Sequence, residues 1–259
     1  MTADGEFYVI RDQLQKLSPA EQKLLRNRYE KIIDNFITVL TPDGKTRMEF
    51  SIFDAIVSSD YWPLFQGKTF ADPNGDILHT NTIERIKAGP WNGFAPFQEG
   101  RILVSFRHLH AIAVIDPDLK KVIWAASGMW AYQHQPTILE NGNILIFDNQ
   151  EKGRMSRVIE FDPATQEIAW IYRGTEENGF FSEVLGSQQR LPNGNTLITE
   201  SCDGRAFEVT PDGEVVWEYV NPRQAGEQGD LVGIIYEVLR LDPDNLDFLV
   251  QDTNAGDGN

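Results

Sequence analysis

The hexapeptide Asn141-Gly142-Asn143-Ile144-Leu145-Ile146 returns 52 residues later as Asn193-Gly194-Asn195-Thr196-Leu197-Ile198. That repeat limits the possible folds more than any other feature. Each copy leads into an alternating segment, Arg157-Val158-Ile159-Glu160-Phe161-Asp162 in one unit and Arg205-Ala206-Phe207-Glu208-Val209-Thr210 in the next. A turn containing Asp162-Pro163 or Pro211-Asp212-Gly213 follows, then a short strand ending in Trp170 or Trp217. Trp124 closes an earlier copy, so the tryptophans stand 46 and 47 residues apart. This period fits a four-stranded propeller blade, with an inner strand, a Gly turn, an apolar second strand, an alternating third strand and an outer fourth. Asn-Gly and Asp-Gly accept the positive φ that tight hairpins demand. The closing Trp reads as packing between neighbouring blades.

Upstream, Phe36–Leu40, the turn Pro42-Asp43-Gly44 and Met48–Phe50 supply an outer strand pair whose inner strands are not evident. Ile234–Leu241 and Phe248–Val250 read as a last pair, giving roughly four to five blade-sized units. Closure is then partial or shared between the two chain ends. Ser18, Pro19 and Glu21 form an N-cap, a first-turn proline and a capping box, with Leu25, Tyr29 and Ile32 on one helix face. The predicted architecture is therefore all-β, an N-terminal helical segment over 1–34 followed by a β-propeller over 35–259. Trp62–Asp76 and Lys87–Gln98 read as inserted loops at the propeller mouth, where binding contacts often reside.

With 259 residues, 41% of them hydrophobic, the chain can bury a full core. Its formal charge of -16 repels phosphate backbones and anionic lipid, so neither nucleic acid nor membrane is an expected partner. The same field opposes an anionic small substrate unless a few placed Arg, His and N–H groups create local positive potential. Cys202 is the single cysteine, and no Cys/His metal spacing is present, so no metal is expected. It reads as a small strand residue beside Glu200. No signal-peptide run and no stretch of 18 apolar residues occurs. The expected location is cytoplasmic as the sequence stands, or periplasmic if an upstream signal has been lost. Homo-oligomerisation stays open.

Four histidines occur: His79, His108, His110 and His134. His134 precedes Asn141 by seven residues, at the start of an inner strand, where the next repeat has Gly186. His79 opens the inner strand Ile77–Ile83, with Asn81 on its face by period-2 alternation. Inner-strand starts face the central channel of a propeller. Arg107 follows the strand Ile102–Phe106 at its edge. If that edge also reaches the channel, His79, Asn81, Arg107 and His134 surround one nucleophile with donors, as transfer of an anionic group requires. The alternative is four unrelated polar residues at strand ends.

The segments DILHTNTIERI, ILVSFRHLHAIAVID, QHQPTILENGNILIFDN, GSQQRLPNGNTLITES and FEVTPDGEVVWEY, in this order, resemble the aryl-sulfate sulfotransferase family in its shorter bacterial form, from about Phe36 to about Val250. The resemblance implies a six-bladed propeller that moves a sulfuryl group from a phenolic sulfate ester to another phenol within the central channel. His134 resembles the histidine that becomes transiently sulfated. Arg107, His79 and Asn81 match residues that hold the sulfuryl and phenolic oxygens. Longer members carry a channel histidine on an earlier blade, and no histidine precedes His79 here. They also carry an export signal and a disulfide near the site.

The implied chemistry is ping-pong transfer through a sulfohistidine, with His79 exchanging the phenolic proton. The partners are a small aryl sulfate donor and a phenolic acceptor. No cofactor is expected, and no Gly-rich phosphate loop suggests a nucleotide sulfate donor (PAPS). Trp62, Phe65, Trp91, Phe94, Phe97, Trp130 and Tyr132 lie near the channel segments; most read as loop packing, the alternative being a sandwich around an aryl ring. The competing function is a non-catalytic propeller that binds a ligand and retains these residues. A quinone-cofactor dehydrogenase lacks support, since no vicinal cysteines and no evident calcium site are present.

Overall fold

The computed structural model describes residues 5–26, 28–66, 72–89, 91–150, 154–175, 179–226 and 231–242. Strand β1 (Phe7–Lys16) leads through α1 (Pro19–Leu24) to β2 (Lys31–Leu40), which pairs with β1 and with β3 (Thr46–Ser51). Helices α2 (Ile52–Val57) and α3 (Trp62–Gln66) follow. Three antiparallel meanders come next. The first contains β4 (Thr80–Arg85), β5 (Ile102–Phe106), β6 (Ala111–Asp116) and β7 (Lys121–Ser127). The second contains β8 (His134–Ile138), β9 (Ile144–Asp148), β10 (Arg157–Phe161) and β11 (Ile168–Tyr172), and the third β12 (Ser187–Arg190), β13 (Thr196–Glu200), β14 (Arg205–Val209) and β15 (Val215–Val220). These are three four-stranded antiparallel propeller blades, preceded by a three-stranded sheet.

The uninterrupted apolar runs of the second strands follow from burial on both faces. Ile144 and Ile146 of β9 pack with Leu103, Val114 and Trp124 of the preceding blade, whereas Leu145 and Phe147 pack with Ile198 and Phe207 of the following one. Alternation thus sends successive side chains into different inter-blade layers. Trp124 is buried in the first such layer and Trp170 is partly buried in the next, as expected. Trp217 is 41% exposed, because no sheet among the described residues covers β15.

The Asn-Gly-Asn repeat has a specific purpose. Gly142 and Gly194 adopt φ of 86° and 88°, the left-handed conformation the turns need. Asn141 and Asn143 both donate to Glu160 Oε1, at 3.0 and 2.8 Å. Asn193 and Asn195 do the same to Glu208, at 3.3 and 2.7 Å. The second carboxylate oxygen receives an arginine of the following unit: Arg190 on Glu160 at 2.8 Å, Arg240 on Glu208 at 3.0 Å. These arginines also lie over the closing tryptophans Trp170 and Trp217. The second blade is therefore tied to the third through its turn, and the third in the same way to the segment that carries Arg240.

At the N-terminus the structure departs from the expected boundary at 34/35, which falls inside β2. The capping box of Ser18 and Glu21 forms as expected, but the helix ends at Leu24, with Leu25 as its cap. Ile32 sits in β2. Ahead of the helix, the segment read as helical is strand β1, held along ten register pairs by β2; backbone pairing outweighs the helix-compatible run Arg11–Lys16. Tyr8, Val9 and Ile10 of β1 line the channel cavity, so β1 supplies an inner strand missing from the sequence reading. Helix α2, buried through Ile52, Phe53, Ala55 and Ile56, stands where a fourth strand would follow.

Ile234–Leu241 is not a regular strand. It runs beside the third blade through bonds from Ile235 N–H to Ser201 O (3.3 Å) and between Gln189 and the Arg240 backbone (2.8 and 3.1 Å). Phe248–Val250 lies outside the described residues. The Trp62–Asp76 segment opens with α3, and Phe65 packs edge-on against Phe106.

Candidate active site

Asp76 organises the first part of the site. Its Oδ1 accepts the His79 backbone N–H at 3.0 Å, and its Oδ2 lies 2.5 Å from His79 Nδ1. This turn holds His79 at φ 49°, directly ahead of β4 and not within it. The Asp76 carbonyl lies 2.6 Å from His108 Nδ1, and the two imidazoles face each other with centroids 4.5 Å apart. Burial raises the Asp76 carboxyl, but the hydrogen bond and charge of His79, with His108, bring it below its ordinary value. Asp76, His79 and His108 are also the one group among the described residues whose ligand-capable atoms lie within 4.8 Å of one another. Sequence spacing does not reveal that grouping.

Arg107 follows β5, as expected, and its backbone N–H donates to the His79 carbonyl at 3.1 Å. Its guanidinium lies 4.9 Å over the Tyr132 ring. Burial pulls this group below its ordinary value, against the opposing charges of Tyr132, Glu183 and Asp76. Tyr132 itself has φ 56° and donates its N–H to His110 Nδ1 at 3.0 Å.

Asn81 donates to the Gln133 carbonyl at 2.8 Å, while its Oδ1 is buried without a partner. The fully buried Gln133 donates through Nε2 to Ser105 Oγ, Phe106 O and Ala111 O at 3.0, 3.1 and 2.9 Å. It anchors the residue just ahead of the second channel histidine to the neighbouring blade.

His134 opens β8, at the predicted strand start, and is buried. Its Nδ1 lies 2.8 Å from Asn149 Oδ1. Burial depresses its pKa to about 4, helped by the charges of Arg107 and His79 and opposed by the acceptors Asn149 Oδ1 and Tyr132 O. His134 is therefore a neutral imidazole near pH 7. A cavity of about 550 Å³ is lined by His134, Asn81, Thr82, Ile83, Tyr8, Val9, Ile10, Gln135, Leu185, Gly186, Tyr236 and Glu237. The structure thus places His134 and Asn81 on one cavity, with Arg107 and His79 near enough to act on His134 electrostatically. A larger cavity, about 770 Å³, runs between β8 and β12 past Glu160 and Arg190 and contains no histidine.

Of the seven aromatic residues singled out in the sequence, Tyr132 joins this constellation, and Tyr8 and Tyr236, not singled out there, line its cavity. Trp91, Phe94 and Phe97 form an edge-to-face cluster that reaches Trp124, and Trp130 packs on Phe161. Asn149 and Gln133 escape sequence reasoning because their roles are contacts to partners distant along the chain or to backbone, whereas Asp76 stands three residues before the His79 ring it meets and was open to a local reading. The polar pair Asp148-Asn149, at the end of β9 and just beyond it, was the available signal.

Residues 1–222 match the family model described as arylsulfotransferase (ASST). The chain belongs to the arylsulfotransferase family. No curated protein matches it. Among solved structures it is similar to a protein of unknown function from Bacteroides caccae, at 15% identity over 71% of this chain and 54% of that one, with a TM-score of 0.44. It is similar to the WD40 β-propeller domain of Doa1, at 14% identity over 74% and 50%, TM-score 0.44. A further similarity is to a catalytically inactive H270A virginiamycin B lyase from Staphylococcus aureus, at 14% identity over 74% and 53%, TM-score 0.40. The chain spans about half the length of these structures. No described helix is long and apolar enough to cross a membrane.

Proposed function

We propose that this family member transfers a sulfuryl group from an aryl sulfate ester to a phenol, without PAPS, through a sulfohistidine at His134. The observation that carries the reading is a buried, neutral His134 on a cavity shared with Asn81 and flanked by Arg107 and His79. The Nε2 lone pair attacks sulfur, the S–O bond to the aryl group breaks, and the phenolate leaves with its electron pair. Arg107 balances charge on the sulfuryl oxygens, supplying the local positive potential that a chain of charge -16 otherwise lacks. His79, backed by the Asp76 carboxylate, gives a proton to the departing phenolate and takes one from the acceptor phenol. The unpartnered Oδ1 of Asn81 suits the hydroxyl of that acceptor. In this reading the blades described here belong to the six-bladed ring of the family.

The test is nitrophenol release from nitrophenyl sulfate with phenol present, comparing wild type with His134→Asn. Acceptor-dependent release that disappears in the variant supports transfer. Absence of release by folded wild-type protein across several aryl sulfates replaces this reading with a ligand-binding propeller.

A further inference from the structure

We propose that Asn149 is a positioning residue that keeps the proton of His134 on Nδ1, leaving the Nε2 lone pair to attack. The inference rests on the sulfohistidine reading of the site. Asn149 follows β9 and is fully buried. Its Nδ2 donates to two backbone carbonyls, Ser182 O at 2.8 Å and Leu185 O at 2.7 Å. Those oxygens only accept, so rotating the amide by 180° would set Oδ1 against both of them. The orientation is therefore determined by chemistry, and Oδ1 must be the atom 2.8 Å from His134 Nδ1. Because Oδ1 only accepts, the facing ring nitrogen carries the hydrogen. A neutral imidazole has one N–H, so Nε2 is left with its lone pair.

The choice of an amide over a carboxylate has a chemical consequence. As the Nε2–S bond forms and the aryl O–S bond breaks, the ring becomes a sulfated imidazolium and its Nδ1–H bond to Oδ1 gains charge assistance. Asn149 cannot remove that proton. The ring stays cationic, which keeps the N–S bond weak. The second phenol then forms its O–S bond, its proton passes to His79, and the N–S electron pair returns to Nε2. Asp76, by contrast, places a carboxylate on His79, the imidazole that must carry a proton. The repeat supports a dedicated pairing of position 149 with position 134. Its counterpart 52 residues later is Ser201, whose hydroxyl accepts the backbone N–H of Gly186, the counterpart of His134, at 3.0 Å.

Arg107 and His79 are the charged or titratable groups that depress His134, and Tyr8, Tyr236 and Glu237 are those that line the same cavity. The tautomer can be read directly in the unmodified protein by long-range proton–nitrogen correlation spectroscopy with ¹⁵N-histidine, the His134 signals being those missing in His134→Asn. At pH 7 an Nδ1–H, Nε2-unprotonated pattern is expected. An Nε2–H pattern overturns the proposal, whatever the activity. Asn149→Ala should mix the tautomers and lower kcat for nitrophenyl sulfate about 10-fold or more with little change in KM, the scale of second-layer effects. Asn149→Asp should move the acid limb of the kcat/KM profile to higher pH. A folded Asn149→Ala protein with unchanged tautomer and unchanged kcat also overturns it. If wild type transfers no sulfuryl group yet shows the Nδ1–H pattern, the sulfotransferase reading fails while the tautomer lock is established by itself.

Discussion

Asp76 Oδ2 approaches His79 Nδ1 to 2.5 Å, giving the more exposed channel imidazole a carboxylate partner. The buried imidazole, His134, has only an amide. The two histidines thereby differ in their surroundings, one facing a carboxylate and the other buried against an amide.

His79→Ala should therefore damage transfer from poor leaving groups most. Phenyl sulfate turnover should fall about 100-fold, the lower range for a lost general acid, while nitrophenyl sulfate changes much less. The measurement is log kcat/KM against the pKa of the leaving phenol, which should steepen in the variant. Equal losses across the series would remove the proton-transfer role from His79.

Burial of His134 predicts acid sensitivity. Its pKa is depressed from 6.5 to about 4, so the unfolded chain binds the proton first as pH falls. The associated stability is complete above pH 6.5 and is lost between there and about 4, on the order of 3 kcal/mol. The wild-type-minus-His134→Asn difference in unfolding free energy should follow that window. A difference independent of pH would show that His134 is not buried in its neutral form.

Glu84 acts in the opposite sense. Burial raises its carboxyl to about 7, with Ile138 N–H and Lys87 opposing. A raised carboxyl stabilises the fold below its unfolded value of 4.5 and loses that contribution as pH rises through about 7. Glu84→Gln keeps an oxygen for the Ile138 N–H, 3.3 Å away, and removes the charge. Its melting temperature should match wild type near pH 4.5 and exceed it at pH 8. The check is thermal unfolding of both proteins at the two pH values.

Gly186 has φ 96°, and a Cβ there would stand 2.6 Å from Phe147 Cζ in the packed inter-blade layer. Gly186→Ala should cost about 1–3 kcal/mol from overpacking, with added backbone strain. Denaturant unfolding would reveal it as a lower midpoint at unchanged slope. The same crowding explains why the counterpart of His134 in the next blade carries no side chain.

The blades were legible because their causes are local. Asn141-Gly142-Asn143 carries its turn geometry with it, and Ile144–Phe147 shows in its own residues that both faces are covered. The strand β1 was not legible. Its polar stretch Arg11–Lys16 has no distinctive periodicity, and only pairing with β2 commits it to the sheet. Among the site residues, His134 and Arg107 lie at the strand positions read from the chain, whereas His79 sits one residue ahead of its strand on a left-handed turn made by Asp76.

The sequence by itself determined the repeating unit, its turns, the tryptophans that close the blades and the few cationic side chains available in a strongly acidic chain. These depend on period, turn chemistry and composition, which are properties of neighbouring residues. Tertiary structure alone decided which strand ends meet at one cavity, that β1 completes its wall, and that Asn149, anchored to Ser182 and Leu185, faces the ring of His134. The physical reason is that burial, charge and proton position depend on what surrounds a group in space, and those surroundings come from blades far apart along the chain.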